Sequence, residues 1–158
     1  MAENKVQDFF IAESSNEKNR GEVRLDLFMK KHKELASGNP NDVWKLEYYK
    51  NTTKLALMIL LYIFAQDDDD ISEKELNKVK KYLRKHRYIL EAKDFDEIID
   101  LAKSKMTIDI FVKYMKDSGF KEDILDNAIA EAKNVVKRSL VYKTYIDELK
   151  EGYLEQVK

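Results

Sequence analysis

Apolar residues are densest between Leu55 and Ala65, where nearly every position is hydrophobic and a helix would be apolar on all sides. A helix of that kind is buried. Asp67 to Asp70 follow at once and stop it, because Asp is a poor helix former and clustered negative charge is least favourable at a helix C-terminus. Ser72-Glu73-Lys74-Glu75 then restarts a helix with the spacing of a capping box. The pattern predicts a central buried helix, a tight acidic turn and a second helix, and the rest of the chain is organised around that unit.

Upstream the pattern is weaker. Val6 to Ala12 is a short apolar piece, either an extended arm or a half-formed helix, and Ser14 to Gly21 reads as a polar loop. From Glu22 to Ala36, Val23, Leu27, Phe28 and Leu35 fall on one side with lysines opposite, which predicts an amphipathic helix. Ser37-Gly38-Asn39-Pro40-Asn41 is the strongest loop signal, and Asp42 is the expected N-cap of a helix over Val43 to Gln66. Trp44, Tyr48, Leu55, Ile59, Tyr62 and Ile63 lie near one stripe of that helix, and Thr52 and Thr53 weaken its middle.

Beyond the aspartates, Leu76, Val79 and Leu83 mark the inner side of a helix ending near His86. Asp94 with Glu97 is expected to cap the next, whose inner face is Phe95, Ile98, Ile99 and Ala102. Thr107 is expected to cap a short helix carrying Ile108, Phe111, Tyr114 and Met115, stopped by Gly119. A single long helix is expected from Glu122 to Val157, with Leu125, Ile129, Ala132, Val136, Ser139 and Ile146 at heptad-like spacing and Gly152 weakening its last turns.

These elements describe an all-α bundle of about six to seven helices. Residues 1–53 would form an N-terminal helical extension packed on a core over 54–158, the two making one unit. A chain of 158 residues is one domain by length. One proline and four glycines leave little punctuation for a many-stranded fold. The 29 basic and 30 acidic residues nearly balance, so no global charge draws the chain to nucleic acid. The absence of cysteine removes disulfides and thiolate chemistry. No signal peptide is visible and the longest apolar run is too short to span a bilayer, so a cytoplasmic location is expected.

Candidate chemistry is sparse. Asp67, Asp68, Asp70 and Glu75 are hard oxygen donors suited to a divalent cation such as Ca²⁺ or Mg²⁺. They read equally as a helix-ending turn followed by a Ser72–Glu75 cap, with the aspartates set against the positive end of the next helix. An EF-hand is rejected, because its register puts Phe64 and Gln66 where aspartates are needed. Lys78, Lys80, Lys81, Arg84, Lys85, His86 and Arg87 crowd one helix together with Tyr82 and Tyr88. They form either a solvated outer face or a patch for nucleic acid or an anionic surface, in which Lys80, Lys81, Arg84 and Arg87 would contact phosphates. His32 and His86 are too isolated for a histidine metal site, and no nucleophile is paired with a base, so an enzyme is not expected. Tyr48, Tyr49, Tyr142 and Tyr145 are expected to line the bundle with their hydroxyls at its rim.

The segment from Ala65 to Glu75 resembles the A-x-x-D-G-x-I-S-x-x-E signature of the tellurite-resistance TerB-like family, with Ala65, Asp68, Ile71, Ser72 and Glu75 in register and Asp69 where the family has glycine. The resemblance covers roughly Lys54 to Val157. It implies an all-helical fold and a related motif in the second half, with divalent metal held by the acidic residues. It also implies a non-enzymatic accessory role in bacterial stress response or envelope defence, exerted through a protein partner. In the corresponding late segment, Leu140 to Glu148, this chain places Lys143 and Thr144 where the second acidic turn would stand. A metal-free helical interaction scaffold is the other reading.

Overall fold

A computed structural model describes residues 4–18, 42–66, 71–86 and 89–157, the side chains of 15–18 and 42–46 excepted. Among the described residues there are seven helices and no strand. They are α1 (Lys5–Lys18), α2 (Asp42–Phe64), α3 (Glu73–His86), α4 (Ala92–Leu101), α5 (Ile108–Ser118), α6 (Glu122–Val135) and α7 (Leu140–Val157). The helix expected over 22–36, the loop at 37–41 and His32 lie outside the described residues.

The middle and end of α2 form the axis of the fold. Every residue from Thr52 to Ala65 is buried, as an all-round apolar helix requires. Helices α3, α6 and α7 pack against it, α5 packs on α7, and α1 packs on α4. Thr52 and Thr53 do not interrupt α2, because their hydroxyls donate back to the carbonyls of Tyr48 and Tyr49 at 2.9 Å each. The boundary expected at residue 53 falls inside this continuous helix.

Local chemistry sets most of the helix ends. Ser72 and Glu75 form the expected capping box: the Ser72 N–H donates to Glu75 Oε1 at 2.9 Å, and the Glu75 N–H donates to Ser72 Oγ at 3.2 Å. Thr107 Oγ1 accepts from the Ile110 N–H, and Gly119 closes α5 with φ 69°, a left-handed conformation that suits glycine.

Three expectations are corrected. The piece at Val6 to Ala12 belongs to a full helix that runs on to Lys18, through residues expected to be a loop. Its anchor is Asn4, whose Oδ1 accepts from the Gln7 N–H at 2.9 Å while Nδ2 donates to the Ala102 carbonyl at 2.9 Å. One side chain thus serves the start of α1 and the end of α4, a pairing made only by tertiary contact. The N-cap of α4 is Glu91, not Asp94. Asp94 sits one turn inside, accepts the Glu91 N–H at 2.8 Å and is buried. Finally, the long last helix is two. It breaks over Val136 to Ser139, and Ser139 Oγ accepts from the Tyr142 N–H as the new helix starts. Ser139 is therefore a cap rather than a core position, and the break lets α7 fold back onto α6 and α2.

Candidate functional site

The end of α2, the start of α3 and the start of α7 meet around Tyr142, which touches Glu75 and Phe64. Of the four candidate metal ligands, Glu75 is described, and Asp67, Asp68 and Asp70 lie outside the described residues. Both carboxylate oxygens of Glu75 are engaged. Oε1 accepts the cap bond from Ser72, and Oε2 accepts from the Tyr142 hydroxyl at 2.7 Å. The Tyr142 ring also meets Phe64 edge-on, with centroids 5.1 Å apart. The last helix is thereby tied to the end of α2 and the start of α3. Sequence reasoning placed Tyr142 at a bundle rim and did not foresee this bond, which joins residues 67 positions apart. Beside it, Leu140 is 80% exposed and Val141 is also exposed. Among the described residues, no group of three or more histidines or carboxylates comes together as a metal-ligating cluster.

The basic helix α3 does not present all its cations outward. Lys80 and Arg84 lie over the Phe9 ring of α1 at 5.5 and 5.8 Å, and Arg84 pairs with the buried Glu13 at 3.6 Å. Lys81 is exposed, and Arg87 and Tyr88 lie outside the described residues. Tyr82, expected among the basic side chains, is buried instead. Of the residues singled out as phosphate contacts, Lys80 and Arg84 thus also hold α1.

A buried ion cluster was missed by the sequence reading. Lys50 and Lys54, one turn apart on α2, are both buried. Lys54 Nζ reaches Asp94 at 3.2 Å and Glu97 at 2.9 Å, and Lys50 Nζ reaches Glu47 at 2.9 Å and Asp94 at 4.0 Å. Burial pulls the Lys50 pKa down, but the bond to Glu47 and the charges of Asp94 and Glu91 outweigh it, leaving the ammonium above its ordinary value. The available signal was the paired spacing, lysines at i and i+4 facing acids at i and i+3 on another helix. Near it the Tyr114 hydroxyl is buried without a hydrogen-bond partner among the described residues, and burial followed by the charge of Glu97 drives its pKa up. This cluster ties α4 to α2 through Lys54.

A polar cleft of about 510 Å³ opens between α2, α3 and α6. Tyr48, Tyr49 and Thr52 line it from α2, Lys85 and His86 from α3, and Asn127, Ala130, Glu131 and Asn134 from α6. The Tyr48 hydroxyl and the Asn127 amide are hydrogen-bonded across one side, and His86 Nε2 stands 3.9 Å from Glu131. Among the described residues no helix is long and apolar enough to cross a membrane. Compared with known proteins, the chain matches no family model, no curated protein and no solved structure.

Proposed function

We propose that this chain is a non-enzymatic, TerB-like helical accessory module, working through protein contacts in a bacterial stress or envelope-defence response, with a divalent-cation site at its acidic turn. The observation that carries the reading is the bond from Tyr142 to Glu75. It sets Tyr142, from the late segment where the resemblance would place a second motif, against Glu75 of the first. The role in defence rests on the resemblance of Ala65 to Glu75 alone. Exposed Leu140 and Val141 beside the turn supply apolar surface for a protein partner.

In this reading Asp68 and Glu75 ligate the ion, and Asp67 and Asp70 add direct or outer oxygen contacts. Crowded carboxylates repel without a cation, so Ca²⁺, Mg²⁺ or Mn²⁺ should raise the melting temperature by linkage. Asp68→Asn should abolish that rise and leave the apo protein as stable or slightly more so. Tyr142→Phe should alter the metal response while keeping the Ser72–Glu75 cap.

A metal-free interaction scaffold is favoured by one specific observation: Glu75 already spends an oxygen on each of two hydrogen bonds. Melting curves with and without millimolar cations decide between the two. An unmoved midpoint for all three ions leaves the aspartates as a helix-ending turn.

A further inference from the structure

The cleft between α2, α3 and α6 owes nothing to the acidic turn. Its α6 wall is a single stripe, Asn127, Ala130, Glu131 and Asn134, flanking the buried side of that helix. The small Ala130 between two asparagines leaves the groove open. Ala130 is also the sole aliphatic residue of the lining, so an apolar molecule would bury little against it. A volume of about 510 Å³ is within the range of small-molecule sites. Any occupant must be recognised by hydrogen bonds and charge.

The groups available for that recognition carry both signs. Lys85 is exposed and makes no ion pair among the described residues, and the Asn134 amide makes no hydrogen bond there. Glu131 meets His86 at 3.9 Å, an ion-pair distance too long for a hydrogen bond, so its oxygens keep acceptor capacity. Tyr48 and Tyr49, edge to face at 5.7 Å, add the aromatic surface that attracts an ammonium. The His86 ring lies tilted against Tyr82 with centroids 4.5 Å apart, and the Tyr82 hydroxyl is buried without a hydrogen-bond partner among the described residues. Burial and the charge of Glu131 both resist its ionisation, so it remains a donor beside the carboxylate.

We infer that this cleft binds a small zwitterion of the α-amino-acid class, with Glu131 and the tyrosine rings taking its ammonium, Lys85 its carboxylate and Asn134 its remaining polar atoms. Net charge explains the choice. A simple anion would meet Glu131, and a simple cation would meet Lys85, whereas a molecule carrying both charges satisfies the two together.

The test titrates the ¹⁵N-labelled full chain with each standard amino acid, reading amide shifts and the melting temperature. Each amino acid that binds is compared with its N-acetyl form, which lacks the ammonium, and with the matching amine, which lacks the carboxylate. The expected result is saturable shifts at cleft residues for at least one amino acid, with both blocked forms at least tenfold weaker. Lys85→Ala and Glu131→Gln should each weaken binding about tenfold, or about 1.4 kcal/mol. Ala130→Leu, an exposed helix position, should fill the cleft and abolish binding without lowering the apo melting temperature. Two results would overturn the inference: no saturable shift at millimolar concentration, or binding that survives Ala130→Leu or either blocked form. Asp68→Asn should leave amino-acid binding unchanged, so loss of the metal response and loss of this site are read separately.

Discussion

Lys54 shows how much one buried charge commits in this protein. It lies in the most apolar helix, yet its ammonium touches Asp94 and Glu97 at hydrogen-bond distance. Desolvating such a pair is costly, and removing one partner is worse than never having had the pair, because the other charge stays buried. Lys54→Met should therefore destabilise by roughly 3–5 kcal/mol in urea unfolding. A loss below about 1 kcal/mol would mean that Lys50 or water takes over Asp94. Alkaline pH probes the same region. Lys50, Tyr82 and Tyr114 all have folded pKa values above their ordinary ones. Folding thus holds protons that the unfolded chain gives up first, and their stabilising contribution is fully present below about pH 10. Above that it is lost as pH rises toward the folded values. Urea midpoints should be flat across neutral pH from these groups and fall above about pH 10. In the same titration, two of the nine tyrosines, Tyr82 and Tyr114, should give tyrosinate absorbance only as the chain unfolds.

At the scale of elements, the packing of α5 on α7 depends on a missing side chain. Gly152 lies within α7, and a Cβ built there would stand 3.0 Å from Ile108 Cδ1. From sequence this glycine reads only as a helix weakener, and replacing it by alanine would ordinarily gain about 1 kcal/mol. Here the gain meets overpacking against Ile108. Gly152→Ala alone should show no gain or a small loss in thermal melting. In the Ile108→Val background, which removes Cδ1, the same change should become stabilising. Equal effects in both backgrounds would show that the two helices are not in contact there. The split of the last helix follows a similar logic. Nothing in the composition of residues 136–139 forbids a helix, and the heptad-like spacing runs through them. Turning back lets Ile146 and Leu149 enter the core, where they are buried, while Ser139 supplies the cap that the new helix needs.

Over the whole molecule, α2 is the hub, with Leu60 and Ile63 wholly excluded from solvent. Ile63→Ala should cost roughly 2–5 kcal/mol, measured by urea or thermal unfolding. An unchanged midpoint would remove α2 from the centre of the fold. The burial of this helix, the caps at Ser72, Thr107 and Gly119, and the inner faces of α3 to α5 were legible from the chain, because periodicity and capping are local chemistry. The acidic motif was legible too, but only as a pattern of residue types. Other features needed the folded chain: Asn4 serving two helix ends, the Lys54–Asp94–Glu97 cluster, Arg84 and Lys80 turned onto Phe9, Tyr142 on Glu75, and the cleft walled by three helices. Each joins residues far apart in the chain, and that distance leaves no periodic trace. The break before Leu140 belongs with them, because a helix continues or turns according to what its next residues can bury. The sequence by itself determined that α2 to α5 are helical and which helix is innermost. Tertiary structure decided which charges are buried, where the last helix folds back, and which polar side chains meet, since those depend on partners brought together only by packing.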